Sequence, residues 1–285
     1  AADKRGGFSR LSTTPLKGTS LRLDGSNDYL RIKRLSAYDP NFGINADFYL
    51  AINVVLHSRP VSGTPRTLFS WGYGGGATHV VDIRYDSTAG TGGNGAWIAR
   101  IRDAFGGGST VTLTLDFGDG TDSILGQQRH LFLQASTSAT NLTMLDMNGN
   151  STTIAGAGIG TWPTTTSYDL FVGVGTTAAN VIGSDFIDAT VAELRIINSS
   201  NINSDWVSTA FSNYKRELND AGISYADGYW KLNDGGLSPS CRDYSTNANH
   251  AIIVNNPATW LLKSDESDVL GESAVQFLGG NSWVS

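Results

Sequence analysis

The sequence predicts an all-β protein, an antiparallel sandwich or barrel, and three observations predict it. Residues 46–57 alternate without a break: Phe48, Leu50, Ile52, Val54 and Leu56 on one face, and Tyr49, Ala51, Asn53, Val55 and His57 on the other. That period of two belongs to a strand. Similar short runs recur between glycine-rich connectors at 72–76, 90–95, 106–108 and 118–120, a spacing that favours sandwiches and barrels over parallel sheets. Finally, the opening unit at 20–31 returns at 274–285, with Gly25, Asn27, Tyr29 and Leu30 matched by Gly279, Asn281, Trp283 and Val284.

Composition agrees. The 285 residues suit one large β domain, or one domain plus a smaller one. Hydrophobic residues make up 40%, enough for a sizeable core, while charged residues are only 16% against roughly 25% in an average soluble domain. The 34 glycines, with frequent Ser, Thr and Asn, imply many turns and hydroxyl-rich strand faces. A net charge of −6 argues against nucleic acid and anionic membranes as partners, since both need basic patches. Cys241 is alone, so no intrachain disulfide forms, and its polar neighbours Pro239, Ser240, Arg242 and Asp243 suggest an inert thiol in a loop. No run approaches the about 18 apolar residues of a membrane helix. No signal peptide is expected, and the start, Ala1-Ala2-Asp3, fits either removal of Met or cleavage of a leader.

Taken in order, residues 1–18 read as an irregular arm. Residues 20–31 (SLRLDGSNDYLR) read as strand, tight turn, strand: a hairpin around Asp24-Gly25-Ser26-Asn27-Asp28. The strand at 46–57 is apolar on both faces, hence central in its sheet. Strands follow at 67–71, 78–85, 96–102 and 110–117. In the last, Val111, Leu113, Leu115 and Phe117 point inward and Thr110, Thr112, Thr114 and Asp116 outward. Strands at 129–137 and 141–147 come next, the second ending on the hairpin signal Asn148-Gly149. A loop at 156–163 bears Trp162, and further strands fall at 168–173 and 191–197. The one helix is predicted over 204–218. Asn203 or Ser204 caps it, Trp206, Val207, Ala210, Phe211, Tyr214 and Leu218 form its apolar face, and Lys215 and Arg216 lie at its C-terminal end. Beyond it come Tyr229-Trp230, a strand at 251–254 and the returning opening unit. Trp206, Trp230 and Trp283 read as core.

Four segments in this order resemble the laminin-G-like (concanavalin A-like lectin/glucanase) jelly roll. Leu21-Arg22-Leu23-Asp24-Gly25-Ser26-Asn27-Asp28-Tyr29-Leu30 looks like its opening strand, and 47–56 like the long strand that follows. Residues 129–149, with Asn141-Leu142-Thr143 leading to Asn148-Gly149, resemble a later strand pair. Residues 186–214, with Val191-Ala192-Glu193-Leu194-Arg195-Ile196, resemble the closing strand and a short helix. The resemblance spans about residues 20–216 and implies two antiparallel sheets packed face to face. Residues 229–285 resemble the beginning of the same family again. The expected organisation is therefore an arm at 1–18, a jelly-roll domain at 19–220 and a C-terminal partial repeat at 221–285. That repeat either adds strands to the first sandwich or forms an interface with a neighbouring chain, because an open sheet edge invites pairing.

Hydrolases of this fold place three acids as Glu-x-Asp-x-x-Glu on one strand face, a spacing this chain lacks; Glu193 is followed by Leu194, Arg195 and Ile196. His57, His79, His130 and His250 have no metal-site spacing, no Gly-x-Ser-x-Gly occurs, and no glycine run leads into Gly-Lys-Ser/Thr. The protein is therefore expected not to be an enzyme. The resemblance implies calcium as the candidate cofactor at a sandwich edge, with Asp24, Asn27, Asp28 and Asp188 as ligands. The alternative is a structural turn in which Asp24 bonds backbone N–H groups. For sugars, Trp71, Tyr73, Trp97 and Trp162 lie at or near glycine-rich loops and are candidate stacking platforms, with packing as the alternative. The leading functional expectation is a bacteriophage virion surface component (head decoration, fibre or tail protein), a homo-oligomer or partner of other virion proteins. The alternative is a secreted or surface carbohydrate-binding, lectin-like module that takes glycans outside the cell. A third reading, glycoside hydrolase, lacks its acids.

Overall fold

A computed structural model of the chain describes residues 19–33, 48–72, 80–102, 110–116, 125–136, 141–146, 151–154, 169–178, 181–198, 228–232, 240–245, 247–255 and 259–262. The arm at 1–18, the helix at 204–218, the turn at Asn148-Gly149, and the returning unit at 274–285 with Trp283 lie outside them. In chain order the strands are β1 (Thr19–Asp24), β2 (Tyr29–Ile32), β3 (Phe48–Leu56), β4 (Arg66–Gly72), β5 (Val80–Asp86), β6 (Ala96–Arg102), β7 (Thr110–Asp116), β8 (Gln128–Ser136), β9 (Asn141–Asp146), β10 (Ser151–Ile154), β11 (Leu170–Val172), β12 (Thr176–Ala178), β13 (Val181–Ile182), β14 (Asp188–Asn198), β15 (Gly228–Trp230), β16 (Ser240–Cys241), β17 (Ala251–Val254) and β18 (Thr259–Leu262). Among the described residues no helix is long and apolar enough to cross a membrane.

Two eight-stranded antiparallel sheets result. The first runs β10-β9-β8-β3-β14-β1-β18, with β15 also on β14; the second runs β16-β17-β2-β11-β4-β5-β6-β7. Their inward faces form one core. The first sheet contributes Leu21, Leu50, Ile52, Val54, Leu131 and Leu194, and the second Ile32, Phe69, Ile83, Trp97, Leu113 and Leu170. The alternation read in the sequence sets these faces. As its two apolar faces required, β3 is an interior strand, flanked by β8 and β14.

Two local readings are corrected. Residues 20–31 are not a hairpin, because β1 pairs with β14 and β18 in the first sheet while β2 pairs with β11 and β17 in the second. The turn at 24–28 is a corner that carries the chain across the core. It lets Leu21 and Leu23 face inward from one side and Leu30 and Ile32 from the other. Gly25 has φ +78° at this corner, and a Cβ there would stand 2.9 Å from Cβ of Asp188, so glycine is needed twice over. Cys241 is likewise not in a loop: it lies in β16, fully buried in the core.

The strands of residues 228–262 join the two sheets. Trp230 on β15 stands opposite Leu194 on β14, Ile253 on β17 opposite Leu30 on β2, and Trp260 on β18 opposite Leu21 on β1. Trp230 is fully buried, and its indole Nε1–H donates to the Asn249 carbonyl at 3.0 Å.

Candidate functional site

The corner between β1 and β2 gathers the four residues expected to hold calcium. Asp24 stands opposite Asp188 in the register of β1 and β14. Its Oδ1 accepts the Ser26 N–H at 2.8 Å and the Asn27 N–H at 3.4 Å, and its own N–H donates to Asp28 Oδ2 at 3.3 Å. Asp188 Oδ1 is ion-paired with Arg22, and the Asn27 carbonyl accepts from Asn255 Nδ2 at 3.0 Å. Asp24 Oδ1, Asp28 Oδ2 and the Asn27 carbonyl are thus turned to N–H donors, and Asp188 Oδ1 to a guanidinium. Among the described residues no group of three or more His, Cys, Asp or Glu side chains is placed to hold a metal ion. The residues do not fit calcium, which needs several oxygens converging on one point. The corner has the geometry of the structural turn.

Asp28 is 3% exposed. Burial pushes its carboxyl pKa up, and the neighbouring Asp24 carboxylate adds to the effect. A raised pKa means that the folded state holds the proton more tightly than the unfolded chain, so the ionised form costs stability above the unfolded value. Asp28→Asn keeps an acceptor for the Asp24 N–H and removes the charge. It is expected to raise Tm at pH 7 by roughly 1–3 °C. The gain should fade as pH falls through the raised folded pKa and vanish below the unfolded value of 3.8. Thermal melts of both proteins across pH 3–7 check this; a gain that grows on acidification would contradict it.

The aromatic candidates divide. Trp71 and Trp97 are 4% and 0% exposed and sit in the core, with Trp97 edge-on to Tyr85 at 5.4 Å between centroids. Proximity to glycine-rich loops suggested platforms, but strand parity decides: both rings share the inward face with Phe69, Ala99 and Ile101. Neither ring can stack on a sugar. Tyr73 and Trp162 lie outside the described residues.

The outer faces of the two sheets differ in how their polar groups are used. On the first sheet, Tyr49, Ala51 and Asn53 of β3, His130 and Phe132 of β8, Thr190 and Arg195 of β14, and Tyr229 of β15 are all buried although they point away from the core. That face is buried over these residues, while Arg22, Val55, Gln128 and Gln134 on it are half-buried and Thr153 near its edge is exposed. Glu193, aligned with Asn53, is ion-paired with Arg195 there, so its carboxylate is committed.

On the second sheet the outer face of β5–β7 reaches solvent, half-buried over β5 and β6 and exposed along β7. In register across it lie Ser70, Asp82, Arg100 and Thr112, with a second row of Arg84, Ile98 and Thr114. Thr112 and Thr114 are exposed. Asp82 is buried, and both arginines converge on it. Arg84 Nε and Nη2 reach its two oxygens at 3.2 and 3.1 Å, and Arg100 Nε lies 3.0 Å from both, with Nη2 on Oδ2. A buried carboxylate is tolerable only when paired, and here two planar guanidiniums pair it. Their side chains remain 20% and 35% exposed. At the far end of the same strands, Asp86 accepts the N–H and hydroxyl of Thr88, and Asp116 those of Thr91; both cap the turn at 87–95. Within single strands the sequence shows only charge at every second position, Asp82-x-Arg84-x-Asp86 and Arg100-x-Arg102, in a chain otherwise poor in charge; it does not show which of them meet.

Two face-to-face antiparallel sheets with this strand order define the fold class: an all-β, antiparallel jelly-roll sandwich. No protein-family model matches the chain, and no curated protein matches it. Solved structures do. A proposed carbohydrate-binding protein of Bacteroides ovatus aligns at 12% identity with a TM-score of 0.52, over 84% of this chain and 58% of that one. Tailspike protein 2 of Escherichia coli O157:H7 bacteriophage CAB120 aligns at 12% identity with a TM-score of 0.50, over 76% and 27%. Mouse laminin α1 domains LG4-5 align at 12% identity with a TM-score of 0.44, over 62% and 40%. The likeness to the first two is one of fold. The chain spans less than two thirds of the first and about a quarter of the second.

Proposed function

We propose that this chain is a non-catalytic, carbohydrate-binding jelly-roll module, with the outer face of β5–β7 as its binding surface. The observation that supports the reading most is the contrast between the two sheets. The first buries Tyr49, Phe132, Arg195 and Tyr229 on its outer face, while the second exposes Thr112 and Thr114 beside two half-buried arginines, with donors and acceptors held by strand pairing and by the shared Asp82. Hydroxyls and fixed guanidiniums are the groups that recognise sugar hydroxyls and ring oxygens, and sites built on strands hold them in place. Non-catalytic use fits the state of the acids. Glycoside hydrolysis needs two carboxylates flanking one bond, whereas Asp82 is bound by two arginines, Glu193 by Arg195, and Asp86 and Asp116 by turn hydroxyls. The fold-level likeness to a proposed carbohydrate-binding protein supports the same reading.

A glycan array tests it, run with calcium and again with a chelator. Reproducible binding to a sugar class is expected, unchanged by chelation, because the β1–β2 corner does not fit the metal. The double variant Thr112→Ala/Thr114→Ala should weaken binding several-fold without moving Tm, since both side chains are exposed. A blank array in both conditions would overturn the reading.

A second reading is favoured by the tailspike likeness: a surface component of a bacteriophage virion, assembled as a homo-oligomer or with other virion proteins, its sugar face turned outward. Native mass spectrometry distinguishes the two. A stable trimer or larger supports the virion role, and a monomer at micromolar concentration argues for a free extracellular module.

A further inference from the structure

Resting on that carbohydrate reading, we infer that the β5–β7 face is built for acidic saccharides: the Arg84–Asp82–Arg100 group takes an anionic oxyacid substituent, carboxylate or sulfate ester, while Thr112 and Thr114 bond the adjoining hydroxyls. The argument begins with charge. Two guanidiniums share one carboxylate, so the Arg84–Asp82–Arg100 group itself carries an excess of one positive charge, while Asp86 and Asp116 hold negative charge at the turn end of the same face. Every hydrogen bond these two arginines make among the described residues goes to Asp82, through Nε and Nη2. Among the described residues the Nη1 group of each makes no hydrogen bond, and both side chains are partly solvent-exposed. A guanidinium held on one edge by a carboxylate is pre-organised on the other, where its planar donors match the paired oxygens of a second oxyacid.

The other charges on the face set the orientation. Asp86 and Asp116 sit at the turn end, beyond Arg84 and Thr114 and flanking Ala96, and they repel an anion there. Arg100 and Thr112 stand two residue positions further from that end than Arg84 and Thr114. The acidic substituent is therefore directed to Arg100, and the neutral part of the saccharide extends across Thr114 and the half-buried Ile98 toward the turn. The chain as a whole carries −6, so attraction is confined to this patch. Added salt should then weaken binding only modestly, because screening removes the long-range repulsion along with the short-range attraction.

The test is an array of neutral, carboxylate-bearing and sulfate-bearing oligosaccharides sharing common backbones, followed by titration of the best acidic ligand and its neutral counterpart. Acidic members are expected to bind at least ten-fold tighter than their neutral counterparts. Arg100→Gln should bring the acidic ligand down to the neutral level, and the carboxylate and sulfate arms identify which oxyacid is preferred. Because Arg100→Gln also unpairs part of a buried carboxylate, Arg100→Lys serves as the second variant. It keeps the charge and the fold but loses the planar fork, and most of the preference should go with it. Equal binding of neutral and acidic members would overturn this inference and leave the carbohydrate reading standing. A blank array would overturn both. A folded Arg100→Lys or Arg84→Gln/Arg100→Gln protein that kept the full acidic preference would also overturn it.

Discussion

Replacing Trp230 by alanine is expected to lower stability by about 3–5 kcal/mol, the range for deleting a large buried aromatic. In a domain of this size that is a fall in Tm on the order of 10 °C. The indole is fully buried, packs opposite Leu194 and ties the loop before β17 through its bond to the Asn249 carbonyl. Trp230→Phe keeps most of the apolar contact and removes the donor, so it should cost about 1–2 kcal/mol. Denaturant unfolding of the three proteins checks both values. A cost below about 1 kcal/mol for the alanine variant would mean that β15 does not share the core, and it would remove residues 228–262 from the cooperative unit.

Asp243→Ala should be comparably severe. The Asp243 carboxylate is buried and accepts four hydrogen bonds: from the Tyr229 N–H at 2.9 Å, the Ser245 N–H at 2.8 Å, the Ser245 hydroxyl at 2.9 Å and the Asn249 N–H at 2.8 Å. These bonds fasten β15 to the loop that leads into β17. Alanine leaves those donors without their acceptor in a dry site. A buried unsatisfied group costs about 1–3 kcal/mol, and a total near 4 kcal/mol is expected because the loop relaxes in part. Asp243→Asn keeps one acceptor oxygen and should fall in between. The effects of Asp243→Ala and Trp230→Ala should add to less than their sum, since each loosens the same loop. Strict additivity in a double-mutant cycle would contradict this picture of one connected unit.

Much of the fold could be read from the sequence because alternation is a local signal. The parity of Val111, Leu113 and Leu115 against Thr112 and Thr114 told which way β7 faces, and the doubly apolar β3 announced an interior strand. What failed was long-range or ambiguous. A five-residue turn rich in Asp, Asn and Gly serves a hairpin and a sheet-to-sheet corner equally well, and only the partners of β1 and β2 separate them. For Trp71 and Trp97, nearness to glycine-rich loops left a sugar platform and packing side by side, and strand parity decides for packing. Cys241 was read by its polar neighbours, though a buried two-residue strand is compatible with polar flanks. The Arg84–Asp82–Arg100 group was invisible for a different reason: Asp82 and Arg100 meet only through the register of β5 against β6, which no single strand encodes. The corner acids were legible as a cluster, but which donors would occupy their oxygens depended on Arg22, whose reach to Asp188 follows from the pairing of β1 with β14.

The pairing of early strands with late ones has a consequence for how the chain acquires its structure. Leu30 on β2 finds its neighbour Ile253 on β17 more than two hundred residues later, and β1 pairs with β14 and β18. Such a topology has high contact order, so folding should be slow, with the time set by long loop closures rather than by the local hairpins of β4–β7. During synthesis β1 and β2 must wait, edges bare and Leu21, Leu30 and Ile32 exposed, until the last strands leave the ribosome. In that interval the β4–β7 meander is the one part of the second sheet able to form from neighbours alone, which makes it the natural nucleus. The early strands are then the segments most in need of protection from aggregation.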